Sequence, residues 1–119
     1  MARSADPSRI EIEPAPGRLR ALWNGTCVAE SARALVLRER GHAPVPYFPR
    51  EDVRVELLEP SGRRTHCPFK GDASYWSLCE GGRRADDAVW SYEEPFEEVD
   101  AIRGHLAFYP DRVTIERLP

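Results

Sequence analysis

Eleven prolines and eight glycines are spread through the 119 residues instead of being gathered in one stretch. Proline removes a backbone donor and blocks the turn before it, and glycine lets the chain reverse, so long helices have no room here. The pattern predicts many short elements joined by turns and excludes a helical bundle. A chain of this length favours one domain, and folding should bury roughly two thirds of the surface its unfolded form exposes, enough for a core without staples.

Strand signals recur between these interruptions. Residues 18–23 read as a strand that ends at Asn24-Gly25, the dipeptide best suited to a type I′ turn, with residues 26–29 returning. Leu35, Val36 and Leu37 form an apolar run within residues 34–39, and residues 45–49 are held extended because two of them precede proline. Pro49, Glu51 and Asp52, with Val53, Leu57 and Leu58 on one face, predict a short helix over residues 50–58. The competing reading there is a strand through Val53, Val55 and Leu57. Pro60-Ser61-Gly62 closes that element.

Further on, residues 67–72 predict a structured loop, residues 73–79 a strand, Gly81-Gly82 a tight turn and residues 83–91 its antiparallel partner. Alternation along the first strand of that hairpin puts Tyr75 and Ser77 on one face, with Ser74, Trp76 and Leu78 on the other. Phe96, Val99 and Ile102 predict a second short helix over residues 97–103, stopped by Gly104. Residues 105–109, Pro110-Asp111 and residues 113–115 predict a closing hairpin. The expected fold class is mainly β with a minor α component: antiparallel sheets of short strands with two short helices, in one domain over residues 18–119. Residues 1–17 are expected to be poorly structured or to lie over the surface, where they could cover an edge.

The three cysteines, Cys27, Cys67 and Cys79, are an odd number without a CxxC pair, so neither a disulfide framework nor a structural zinc site is expected. There is no signal-peptide pattern and no apolar run near the roughly twenty residues that span a bilayer, which predicts a cytoplasmic protein without membrane contact. The net charge of -3, with Arg63-Arg64 and Arg83-Arg84 as short pairs in turn-like settings, argues against nucleic-acid binding. An exposed edge strand would allow a homodimer.

Reactive side chains concentrate in Thr65-His66-Cys67-Pro68-Phe69-Lys70-Gly71-Asp72-Ala73-Ser74-Tyr75-Trp76-Ser77. Lys70 is a cation for a ligand carboxylate or phosphate, a Schiff-base nucleophile or base if aromatics desolvate it, or a loop pin bonded to Asp72 or Asp52. Asp72 is an acid or base, or an acceptor for loop amides. His66 and Cys67 are adjacent, so in extended chain they face opposite ways and make a poor nucleophile-base pair with each other. Tyr75, Trp76, Trp90 and Tyr92 are either core aromatics or the rim of a pocket for a flat ligand. Arg50 is a helix-start residue or an anion fork, and Glu93 or Glu94 can pair with Lys70 or Arg50 or act as a general base.

Several ordered blocks resemble a known family. Tyr47-Phe48-Pro49-Arg50-Glu51-Asp52-Val53, the central stretch, Ala88-Val89-Trp90-Ser91-Tyr92-Glu93-Glu94-Pro95 and Ala107-Phe108-Tyr109-Pro110-Asp111-Arg112-Val113 are similar to the signature blocks of the domain of unknown function 427 family of small bacterial and fungal proteins. The resemblance spans residues 19–115 and implies a compact, mainly β, β-tent-like fold. Some β-tent proteins hold zinc on two cysteine pairs; this sequence has neither pair, so no metal is carried over. The family also bears a provisional nucleotidyltransferase label, for which the sequence offers no paired-aspartate or glycine-serine motif to hold magnesium and triphosphate.

Two functional readings remain. One is a small enzyme without metal or organic cofactor, acting on a polar or aromatic metabolite through Lys70, Asp72, Tyr75 and Glu93, with Arg50, His66, Cys67, Trp76, Trp90 and Tyr92 binding it. The other is a module that binds a small molecule or peptide with the same groups and performs no chemistry.

Overall fold

The pleat of a four-stranded sheet sorts the large side chains of this protein into two cores. The structure is a computed structural model that describes residues 9–119. Ten strands run through those residues: β1 (Ile10–Pro14), β2 (Arg18–Trp23), β3 (Thr26–Ser31), β4 (Leu35–Glu39), β5 (Val45–Tyr47), β6 (Leu58–Cys67), β7 (Gly71–Glu80), β8 (Arg83–Ser91), β9 (Ala107–Phe108) and β10 (Thr114–Leu118). They form three antiparallel sheets, in the orders β1-β4-β5, β10-β2-β3 and β6-β7-β8-β9.

Side chains alternate across a strand, so neighbours on one strand enter different cores. Tyr75 joins one cluster while Trp76 and Leu78 join the other, as the alternation in the sequence predicts. The same division separates Tyr47 from Phe48, Trp90 from Val89, and Ala107 from Phe108. The larger cluster holds Trp23, Val28, Phe48, Leu78, Val89 and Phe108, with the Phe48 and Phe108 rings edge to face at 5.6 Å. The smaller one holds Leu37, Tyr47, Tyr75, Tyr92, Val99 and Ile102.

The mainly β class and the hairpins with local turn signals are observed. Asn24 and Gly25 both have positive φ, as the turn between β2 and β3 requires. Gly81 and Gly82 turn β7 into β8, whose span, Arg83–Ser91, matches the expected one. Both expected helices shrink to 3₁₀ turns. Residues 50–58 divide into Arg50–Asp52 and Val55–Leu57, and Leu58 already begins β6; the second helix is the kinked 3₁₀ segment Glu97–Ile102. Between the first two turns Val53 makes an isolated bridge with Ala29, an extended contact that the helical reading missed.

Pro60-Ser61-Gly62 does not end an element. It lies inside β6, which tolerates proline because β6 is an edge strand and shifts register between Pro60 and Arg64. The closing hairpin is also not formed. β9 pairs with β8, and β10 crosses to β2, placing Thr114 opposite Leu22 and Leu118 opposite Arg18. A turn signal fixes a reversal but not the partner of the strand that follows it. Of residues 1–17, residues 1–8 lie outside the described residues, while Ile10–Pro14 is β1, paired along its length with β4. Ile10 and Ile12 alternate with Glu11 and Glu13, a strand pattern concealed by the nearby prolines, and both isoleucines pack on the smaller cluster.

Gly71 is the hinge between the central loop and β7. Its φ of 115° lies where side-chain-bearing residues are strained, and a Cβ there would sit 3.4 Å from Pro95 Cα and 3.5 Å from the Glu94 carbonyl oxygen. Those contacts are ordinary, so the cost of a side chain is conformational. Gly71→Ala is expected to lower stability by about 1–3 kcal/mol. Urea unfolding measures it, and an unchanged midpoint would mean that the hinge relaxes to negative φ.

Candidate functional site

The turn Pro68-Phe69-Lys70 hangs between β6 and β7 and is clamped at both ends of its last residue. Lys70 N–H donates to the Cys67 carbonyl (3.2 Å), and the Lys70 carbonyl accepts from Phe96 N–H (3.0 Å). Lys70 is thereby turned inward; only 8 % of its surface is exposed. Its ammonium donates to Glu39 Oε1 at 2.6 Å, reaching the last residue of β4 in a different sheet. Arg9 Nη2 donates to the other oxygen of Glu39 at 3.4 Å, with its guanidinium 3.8 Å above the Phe69 ring.

This ion cluster forms one wall of a cavity of about 400 Å³ between the β1-β4-β5 sheet and the four-stranded sheet. The remaining wall is largely aromatic. All four tyrosines of the chain, Tyr47, Tyr75, Tyr92 and Tyr109, line it together with Trp90. Trp90 Nε1 donates to the Tyr47 hydroxyl at 3.2 Å, and the Trp90 and Tyr109 rings are 4.6 Å apart. The Tyr75 hydroxyl shares hydrogen bonds with Thr65 Oγ1 (2.9 Å) and the Tyr109 hydroxyl (3.4 Å), while Arg63 lies 4.9 Å above the Tyr75 ring. Lys70 Nζ is 5.9 Å from the centre of the Tyr92 ring.

Burial favours the neutral form of Tyr47, Tyr92 and Tyr109. Desolvation raises Tyr47 and Tyr92 well above the ordinary tyrosine range, and desolvation with the hydrogen bond shared with Tyr75 pushes Tyr109 up to about 12. The wall therefore offers hydroxyl groups and ring faces at neutral pH, with no phenolate among these three.

The expected site residues divide. Lys70, Tyr75, Cys67, Trp90 and Tyr92 come together on the cavity. Asp72 and His66 do not: they bond each other on the surface at 2.7 Å, with side chains 81 % and 62 % exposed. Asp72 faces away because it stands next to buried Gly71 on a strand whose alternate positions point outward. Arg50 and Glu93 pair at 3.2 Å, and the Arg50 guanidinium lies 5.3 Å from the Trp76 ring, on the face of β7 opposite Tyr75. Neither Glu93 nor Asp72 reaches Lys70; its carboxylate is Glu39, and the expected loop pins Asp72 and Asp52 bond His66 and Ser31 instead.

Glu39, Tyr47, Tyr109 and Arg9 were not singled out in the sequence. Tyr47 and Tyr109 stood inside quoted blocks and carried the signal that the other aromatics carried. Glu39 had none, since nothing local marks a carboxylate 31 residues away as the partner of Lys70. Among the described residues no three His, Cys, Asp or Glu side chains come together as a metal ion would require, and no helix is long and apolar enough to cross a membrane.

Comparison with known families assigns the chain. A family described as a domain of unknown function (DUF427) matches residues 11–118, and the chain belongs to it. The short name of that family refers to nucleotidyl transfer, and a name alone establishes no activity. No curated protein matches the chain.

Two outcomes are expected from the ion cluster and the phenols. Glu39→Gln leaves two neighbouring cations without a carboxylate and should cost about 3 kcal/mol or more in urea unfolding. Lys70→Met leaves Glu39 still paired with Arg9 and should cost distinctly less; equal losses would show that Arg9 does not share the carboxylate. The second outcome concerns alkaline pH. Below the ordinary value of 10 the phenols are neutral in both states; above it the unfolded phenols ionise while the folded ones keep their protons. Their contribution to stability is therefore present below about pH 10 and is lost as pH rises towards 12, with Tyr47 and Tyr92 extending the fall beyond that. Unfolding midpoints from pH 9 to 12 measure the fall, which Tyr92→Phe should reduce.

Proposed function

For a member of a family whose description assigns no activity, we propose binding of a small, flat organic molecule in the cavity between the first and third sheets, with ring faces and phenols as its walls and the Lys70–Glu39 pair as its polar end. One convergence carries this reading. Lys70 is the only lysine in a chain that otherwise uses arginine for its cations, and it meets all four tyrosines on one cavity. A salt bridge that only pinned a loop would be served by arginine, with its fork of donors; a compact point charge in an aromatic wall suits a bound group.

The ion pair also bears on the chemistry. An ammonium hydrogen-bonded to a carboxylate at 2.6 Å has no free electron pair, which favours Lys70 as a binding and proton-donating group over a Schiff-base nucleophile. The second reading is acid-base catalysis, in which Lys70 gives a proton to bound substrate and Glu39 stabilises the charge on its return. It is favoured by the burial of both groups, 11 % and 9 % exposed in their side chains, beside a cavity large enough for a metabolite. Asp72 and Glu93 have no place in either version, because both lie outside the cavity.

A thermal-shift screen over metabolites tests the reading. A ligand at 100 times its dissociation constant should stabilise by about 2.7 kcal/mol, which for a domain of this size raises the midpoint on the order of 10 °C. Ala43 is an exposed residue at the cavity, so Ala43→Trp should fill the opening without unfolding the protein. Shifts that vanish in Ala43→Trp are the expected result. A screen without hits, or hits that survive the plug, would remove the cavity from consideration. Product formation that Lys70→Arg abolishes while binding persists would select the catalytic version.

A further inference from the structure

We propose that the cavity takes a small aromatic monocarboxylate, with its carboxylate between Lys70 and Arg9 and its ring against the tyrosine and tryptophan wall. This rests on the cavity being a ligand pocket and adds the charge that the ligand carries.

The inference begins with a count of charges. Among the described residues lining the cavity, Lys70 and Arg9 are cations, Glu39 is the one carboxylate, and His42 is counted neutral at pH 7. Glu39 is already shared, with Oε1 on Lys70 at 2.6 Å and Oε2 on Arg9 at 3.4 Å. Among the described lining residues the cations therefore outnumber the carboxylates by one, and a bound carboxylate would balance the wall.

The hydrogen-bond inventory leads to the same group. An ammonium has three donors, and the described acceptor of Lys70 takes one of them. Arg9 Nε is buried with no hydrogen-bond partner. Lysine and arginine cannot accept, so only an acceptor satisfies what remains, and a carboxylate supplies the missing charge as well. A phosphate dianion would bring one charge too many to this wall, and an amine would face two cations.

Elsewhere on the wall the polar groups are hydroxyls. Tyr75 stands four residues beyond Gly71 along β7, roughly 13 Å at the usual strand rise. There the Tyr75 and Tyr109 hydroxyls meet at 3.4 Å. A phenol at the end of a ligand distant from its carboxylate would find both donor and acceptor in that pair, which makes a hydroxyaryl-alkanoate the best-matched probe.

The test uses the full-length protein and three matched compounds, 3-(4-hydroxyphenyl)propanoate, its carboxamide and tyramine, with phenyl phosphate as a fourth. Calorimetry measures affinity. The acid is expected to bind at least about ten-fold more tightly than the amide, and tyramine more weakly than either. Arg9→Gln should lower the affinity for the acid by about ten-fold and that for the amide by clearly less, since the amide loses a hydrogen bond but no ion pair. Equal affinities for acid and amide, preference for phenyl phosphate, or binding of the acid that Arg9→Gln does not alter would overturn the proposal. If these acids fail while other flat molecules give shifts abolished by Ala43→Trp, the carboxylate assignment falls and the pocket stands. If no compound of any class binds, both fall. The acid-amide comparison is made on the unsubstituted protein, so a folding defect in Arg9→Gln leaves it decisive.

Discussion

A lysine side chain can be buried in this protein because a carboxylate from another sheet meets it. The Lys70–Glu39 bond spans 31 residues and joins the turn between β6 and β7 to the end of β4, at the edge of the cavity. The backbone of the same residue is held from the other side, where Phe96 N–H donates to the Lys70 carbonyl. The turn is thus fixed between a sheet and a corner. Gly71 is what allows it, since the chain turns there at a φ that other residues avoid.

The two cores differ in chemistry as well as in position. Phe48 and Phe108 fill the larger one, while the tyrosines gather in the smaller one or pack against it. A phenyl ring gains everything it can from dry packing. A phenol inside a protein also requires a partner for its hydroxyl, which a cavity with polar ends can provide. Tyr47 meets that need through Trp90, and Tyr75 through Thr65 and Tyr109. The division between ring types across one sheet is how the chain combines a solid core with a lined hollow.

The parts of this arrangement that were legible in the sequence are those that short-range chemistry dictates. Asn24-Gly25 and Gly81-Gly82 each fix a reversal, and alternation along β7 places Tyr75 and Trp76 on opposite faces. Lys70 and the aromatics of β7 and β8 were found because they lie on one hairpin and the loop before it. Long-range partners left no such trace. Val113-Thr114-Ile115 reads equally well as a strand whether it returns to β9 or crosses to β2, and the choice of β2 is made by the other sheet. Glu39 ends a strand among charged residues, and only folding distinguishes it from Arg38, which pairs outward with Glu13. The prolines that correctly excluded long helices also concealed β1, where Pro14 occupies the last position of an edge strand.

Arg50, Trp76 and Glu93 gather away from the Lys70 cavity, on the other face of β7. An arginine fork does meet acceptors, but they belong to the protein: Glu93 at 3.2 Å and the Gly104 carbonyl at 3.2 Å, with the Trp76 ring beside it. Those contacts tie together four positions, residues 50, 76, 93 and 104. Two of them, residues 93 and 104, flank the 3₁₀ segment Glu97–Ile102, and Gly104 N–H in turn donates to the Tyr92 carbonyl. Tyr92 is on the cavity wall, and Phe96, within the same corner, anchors Lys70. The surface cluster therefore braces from outside the corner that holds the lysine and one tyrosine in place.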